Sequence, residues 1–150
     1  MQRLQRPSVF SNSSISMTPM AETCAVCMQT AALAQDMMNA ATSLHKLHLK
    51  VTGIGSYAAH KALNEIYDAL PGHADDLVEG FQGAAEKILD LPNTAPSEIN
   101  SVDEALDFLR KMTDKINSLQ SIMPYSEIVN DLDNAKSTIN STKYKLIFLK

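Results

Sequence analysis

Two histidines and two carboxylates carry the most suggestive chemistry in this chain. His48 and His60 are twelve positions apart, and Asp75 and Glu79 follow His60 by fifteen and nineteen. Imidazole nitrogen with carboxylate oxygen suits Fe(II), Mn(II) or Zn(II). Helical bundles assemble such sites from side chains on facing helices. At 100° per residue, His60 and Asn64 stand on neighbouring turns of one face, and Asp75 and Glu79 form a second i, i+4 pair. The bland reading stands beside this one. A histidine in an apolar stripe is commonly a hydrogen-bonded core residue, and acids on a helix commonly form a solvated face.

The elements that must position these residues read as helices. Met37, Ala41, Leu44, His48 and Val51 form one helical stripe, so a first helix is expected over about 21–52 with His48 facing the interior. Gly53 and Gly55 mark a turn. A second helix starts near Ser56, carries Tyr57, His60, Leu63, Tyr67 and Leu70 on one face, and continues to about Leu89. Pro71-Gly72 lies inside it, and a proline removes a helix hydrogen bond, so a kink or break is expected there. Pro92 and Pro96 bracket a connection. Ser101-Val102-Asp103-Glu104 is a capping box opening a third helix that Pro124 ends. Ser126 is placed to cap a fourth, carrying Ile128, Val129, Leu132, Ala135 and Ile139. The closing 143–150 stretch reads either as a last helical turn or as a short extended segment.

Composition agrees with an all-α fold. The 150 residues are 45% hydrophobic but only 5% aromatic, without Trp, so Ala, Leu, Ile and Met must fill a close-packed interior. One domain is expected at this length, over residues 20–150 as a four-helix bundle. The connection between the second and third helices is long enough for a crossover along the bundle, although an up-down-up-down arrangement also fits. Residues 1–19 differ: two Arg, no acid and many Ser read as a disordered tail, a processed segment of transit-peptide type, or residues ahead of a start at Met17 or Met20. A net charge of −4 argues against a dedicated nucleic-acid binder, and no apolar run approaches the roughly 20 residues of a membrane span. A cytoplasmic protein is expected.

The register of these residues resembles the Dps proteins, the starvation-induced miniferritins. His48, Val51, Gly53, Tyr57, His60, Asp75 and Glu79 fall in step with that family's His-Trp-x-Val-x-Gly stretch, its second His and its later Asp and Glu. The wording Ser56-Tyr57-Ala58-Ala59-His60-Lys61-Ala62-Leu63, Asp76-Leu77-Val78-Glu79-Gly80-Phe81-Gln82-Gly83 and Tyr144-Lys145-Leu146 is similar to a small phage-encoded branch of ferritin-like proteins. The likeness is specific over about residues 44–83, looser over the last fifty, and absent from 1–20.

The resemblance implies a ferritin-like four-helix bundle and a ferroxidase that binds Fe(II) and oxidises it with peroxide or oxygen. It would store iron and so limit oxidative damage to nucleic acid. It also implies one or two iron ions per site, His48, His60 and position 64 from one subunit, and Asp75 and Glu79 from a twofold-related neighbour. The homo-oligomer would be a dimer at least and a dodecamer by resemblance, with direct DNA contact a weaker expectation. Three departures are visible. The first acid position is Asn64, the family's Trp is Leu49, and Pro71-Gly72 interrupts the second helix. They leave open a structural or interaction bundle with a degenerate metal site.

Other features carry less. His45 precedes His48 by three, so both could face a metal, but His45 reads more simply as an outer polar position. His73 reads as an exposed residue with an entry or supporting role. Cys24-Ala25-Val26-Cys27 has redox or zinc spacing without two further zinc ligands nearby. Its simpler reading is two small apolar residues on the first helix.

Overall fold

The computed structural model describes residues 24–149, so the expectation for residues 1–19 lies outside the described residues. Four helices make up the fold: α1 (Ala25–His48), α2 (Ser56–Ala85), α3 (Val102–Gln120) and α4 (Ser126–Phe148). The described residues contain no strand, as the apolar periodicity and low aromatic content predict.

Contacts between helices set the topology. α1 packs most extensively on α2, α2 on α4, α4 on α3 and α3 on α1, which leaves α2 and α3 diagonal. One end of the bundle gathers Leu47 and Val51, Ser56 and Ala59, Val102, and Leu146 around a groove of about 430 Å³. α1 and α4 therefore end where α2 and α3 begin. Residues 86–101 must return along the whole bundle, and they do so against α1. Asn39 Nδ2 donates to the Thr94 carbonyl at 3.0 Å, and Ser43 Oγ donates to the Ser97 carbonyl at 2.6 Å. This is a bundle with one long crossover, which resolves the choice that connection length left open.

The interior is the Ala/Leu/Ile/Met core that the composition required. Phe81, Met37, Leu44, Leu63, Ile66, Leu109, Ile116 and Ile128 are among its largest fully buried side chains. Each contributes roughly 1.5–3 kcal/mol by leaving water. Small residues let the helices close up: a Cβ on Gly80 would sit 2.8 Å from Ile128 Cδ1, so α2 meets α4 at a glycine.

Helix boundaries depart from the expected ones for local reasons. α1 stops at His48 because the N–H groups of Lys50 and Val51 both turn back to the Leu47 carbonyl, and Gly53 (φ 89) and Gly55 (φ 77) then reverse the chain. α2 ends at Ala85, before Leu89, with Glu86 in the left-handed region at φ 50. The capping box forms with a shift of one residue. Glu104 N–H donates to Ser101 Oγ, while the Glu104 carboxylate accepts from Asn100 N–H instead of Ser101 N–H. Ser126 does not cap α4. Tyr125 occupies the cap position without a side-chain bond, and Ser126 is the first helical residue. The closing residues continue as helix to Phe148.

The largest correction concerns Pro71. α2 runs through it as one helix of 30 residues, so the expected break at Pro71-Gly72 does not occur. Proline removes one N–H donor, leaving the Tyr67 carbonyl without its usual partner. Pro71 is exposed, whereas Leu70 and Ala74 on the adjoining stripe of the helix are buried. Packing on both flanks holds the helix together, and water can serve the outward carbonyl.

Candidate metal site

The end of α1 and the first turns of α2 form a clasp between two histidines. His48 closes α1, so its carbonyl is one of the last four that the helix itself cannot satisfy. His60 lies one turn inside α2. His60 Nδ1 donates to the His48 carbonyl at 3.2 Å, and His48 Nδ1 donates to the His60 carbonyl at 2.9 Å. The rings stack, with centroids 3.7 Å apart and planes 24° from parallel. A carbonyl partner can only accept, so in each neutral imidazole the proton sits on Nδ1 and the lone pair on Nε2. Metal-binding histidines are commonly oriented in this way, by a hydrogen bond from the nitrogen away from the metal.

The pair is anchored inside and open outside. His48 is only 7% exposed, as its place in the α1 stripe predicts, whereas His60 is exposed. His48 Nε2 makes no hydrogen bond, and among the described residues no buried side-chain nitrogen or oxygen lacks a partner. That nitrogen is therefore not wholly shut off from solvent. Tyr57, expected on the inner face of α2, is 77% exposed, and Leu49 and Ile54 beside it are exposed too.

Asn64 stands one turn beyond His60, as its spacing predicts, but its amide is already engaged. Tyr67 Oη donates to Asn64 Oδ1 at 2.9 Å, and Asn64 Nδ2 donates to Asp68 Oδ2 at 2.8 Å. The Tyr67 ring meets His48 edge-on at 5.1 Å and lies flat against His45 at 4.0 Å. His45 is thus exposed, as expected, yet stacked. The roles of Tyr67, Asp68 and His45 were missed in the sequence. Their only signal there was the i, i+3 and i, i+4 spacing around Asn64 and His48.

Asp75 and Glu79 are exposed on α2 and share a face, as expected, but they do not meet the histidines of their own chain. Fifteen residues of helix separate His60 from Asp75 by about 22 Å. Among the described residues, no group of three or more His, Cys, Asp or Glu is placed to hold a metal ion. His60, Asn64, Asp68, Pro71, Asp75 and Glu79 nevertheless lie within about 100° of one another around α2. This stripe is turned away from the core.

His73 corrects another expectation. It is half-buried on the seam with α4, bonded through Nε2 to Thr138 Oγ1 at 2.9 Å. Burial holds its pKa below the ordinary value of 6.5, against the opposing pull of Asp76 and Asp131. Lys145 pairs with Glu65 nearby, tying α4 to α2.

The fold and site define a crossover four-helix bundle with a reciprocally bonded histidine pair, one member buried and one exposed. Residues 48–146 match the profile of a family described as Family of unknown function (DUF5856), and the chain belongs to that family. The match begins at His48 and spans His60, Asn64, Asp75 and Glu79. No curated protein and no solved structure matches the chain. Among the described residues, no helix is long and apolar enough to cross a membrane.

Proposed function

We propose that this protein is a Dps-like ferritin. It binds Fe(II) at a His/carboxylate site shared between two copies and oxidises it, storing the product and limiting oxidative damage to nucleic acid. The observation that carries this reading is the reciprocal His48–His60 clasp. It fixes both rings in the tautomer that leaves Nε2 free and stacks the exposed His60 imidazole on that of the largely buried His48. A core histidine needs one such bond and no outward lone pair. The donor set is half nitrogen, and the missing oxygen ligands are available on the same α2 stripe of a second copy, at Asp75 and Glu79. The single long crossover is also the topology of ferritin-like bundles.

The chemistry is a one-electron loss per iron. Two Fe(II) give two electrons to one peroxide, which takes up two protons and leaves as two waters. His48 and His60 would hold the ion through Nε2, because each Nδ1 is committed to a carbonyl. Asp75 and Glu79 of a second copy would supply negative charge that favours Fe(III).

A second reading is favoured by Asn64. Its Oδ1 accepts from Tyr67 and its Nδ2 is held by Asp68, so this neutral side chain is bound within its own helix. A scaffold that lost efficient chemistry would look like this. Aerobic Fe(II) oxidation and particle mass, measured on one preparation, separate the two. Oxidation faster than buffer by a multi-subunit particle, abolished in H48A/H60A, supports the ferritin. A small oligomer that neither binds nor oxidises iron supports the interaction bundle.

A further inference from the structure

We propose that Cys24 and Cys27 form a reversible dithiol–disulfide pair that exchanges with small disulfides such as oxidised glutathione. Cys24 is the attacking sulfur and Cys27 the resolving one. The pair lies outside the family-matched segment and at the far end of α1 from His48, roughly 36 Å away along the helix. It is therefore independent of the metal-site proposal.

The two residues straddle the first turn of α1. Cys24 is the N-cap, and its Sγ accepts the Cys27 N–H at 3.2 Å. Their Cα atoms are 5.1 Å apart and the sulfurs are joined as a disulfide, a separation within the usual bridging range.

Neither structural role accounts for both cysteines. Ser, Thr, Asp or Asn is the preferred N-cap, and sulfur is a weak acceptor. A disulfide stabilises mainly by closing a long loop in the unfolded chain. This one closes a single turn that the helix already fixes, so it pins no element to another.

The setting suits exchange chemistry. A Cys24 thiolate would sit at the positive end of the α1 dipole and accept the N–H its sulfur now accepts. The first turn of α1 contains no acid to oppose that charge. Both cysteines are partly exposed, and Cys27 also packs against the core. The difference assigns attack to Cys24.

The exchange balances without a further reagent. The Cys24 thiolate attacks one sulfur of glutathione disulfide, forming a mixed disulfide and releasing one glutathione thiolate. The Cys27 thiolate then attacks Cys24 Sγ and expels the second. The protein loses two electrons and two protons, and two glutathione thiols gain them.

The test uses the full chain, reduced and then mixed with glutathione disulfide at pH 7, followed by acid quench, alkylation and mass measurement. The wild type is expected to form the intramolecular disulfide. C27S should accumulate a glutathione adduct on Cys24, at least about tenfold faster than C24S forms one on Cys27. Oxidised and reduced wild type should melt within about 2 °C of each other, since a staple worth 2–4 kcal/mol would shift melting by much more. Equal adduct rates in the two variants, intermolecular dimers in place of the internal bond, or a large melting difference would each overturn the proposal.

Discussion

Tyr67 donates its hydroxyl hydrogen to Asn64 Oδ1 at 2.9 Å, and the same tyrosine presents its ring edge to His48 at 5.1 Å. One residue therefore joins the histidine clasp to the position where the resemblance implies an acid. Asn64 in turn holds Asp68, a carboxylate of the same α2 stripe, through its amide.

Replacing Asn64 by Asp tests what this arrangement costs the site. The new carboxylate would face Asp68 without the amide that now separates them. Like charges at i, i+4 destabilise by about 0.2–0.5 kcal/mol, so the metal-free variant should melt slightly below wild type. A divalent ion held with His60 would offset the repulsion. N64D should therefore gain more melting temperature on adding Fe(II) anaerobically, or Zn(II), than wild type gains. An equal shift in both proteins would mean that position 64 does not face the ion.

Much of this was legible in the sequence. The α1 stripe through Met37 and Leu44 placed His48 inside, and the twelve-residue spacing placed His60 opposite it across a glycine turn. The Ser101 capping box was readable because capping is local. The continuity of α2 was not. A proline rule weighs one lost hydrogen bond, whereas the burial of Leu70 and Ala74 on the adjoining stripe depends on residues distant in sequence. The clasp itself was hidden for the same reason. It uses backbone carbonyls, which every residue carries and no motif records. His73 looked exposed because it follows Pro-Gly, but its neighbour Thr138 comes from α4.

His73 makes stability depend on pH. Its folded pKa is lowered by burial, so the unfolded chain takes up a proton first as pH falls. The resulting stability is fully present above the unfolded value of about 6.5. It declines below that value until the folded group also protonates. Urea midpoints measured from pH 7.5 to 5 should fall for wild type more steeply than for H73Q. Parallel curves would remove His73 as the cause.

Ser101 caps α3 through its hydroxyl and, by ordering that turn, fixes where the crossover ends. S101A should cost about 1 kcal/mol, read as a lower denaturation midpoint with an unchanged slope. S101D should retain most of the stability, because aspartate is also a good N-cap and its charge suits the helix N-terminus. Destabilisation by S101D as large as that by S101A would show that the cap is not the relevant interaction.

The shared-site proposal fixes where two copies must meet. A twofold axis makes residue i of one copy contact j of the other and j contact i. If His60 approaches Asp75 of a second copy, the axis crosses α2 midway between them, near positions 67 and 68. Asp68 is exposed there, within the same stripe as His60 and Asp75. Helices in contact lie 8–10 Å apart, so a pair of cysteines introduced at position 68, one on each copy, would face each other across the axis within disulfide reach. D68C, made with C24S and C27S to remove the other thiols, should form a covalent dimer in high yield under mild oxidation. K87C, on the exposed connection after α2 and far from the midpoint, should form no covalent dimer under the same conditions. Cross-linking at 87 with none at 68 would place the interface elsewhere and separate Asp75 and Glu79 from the histidines.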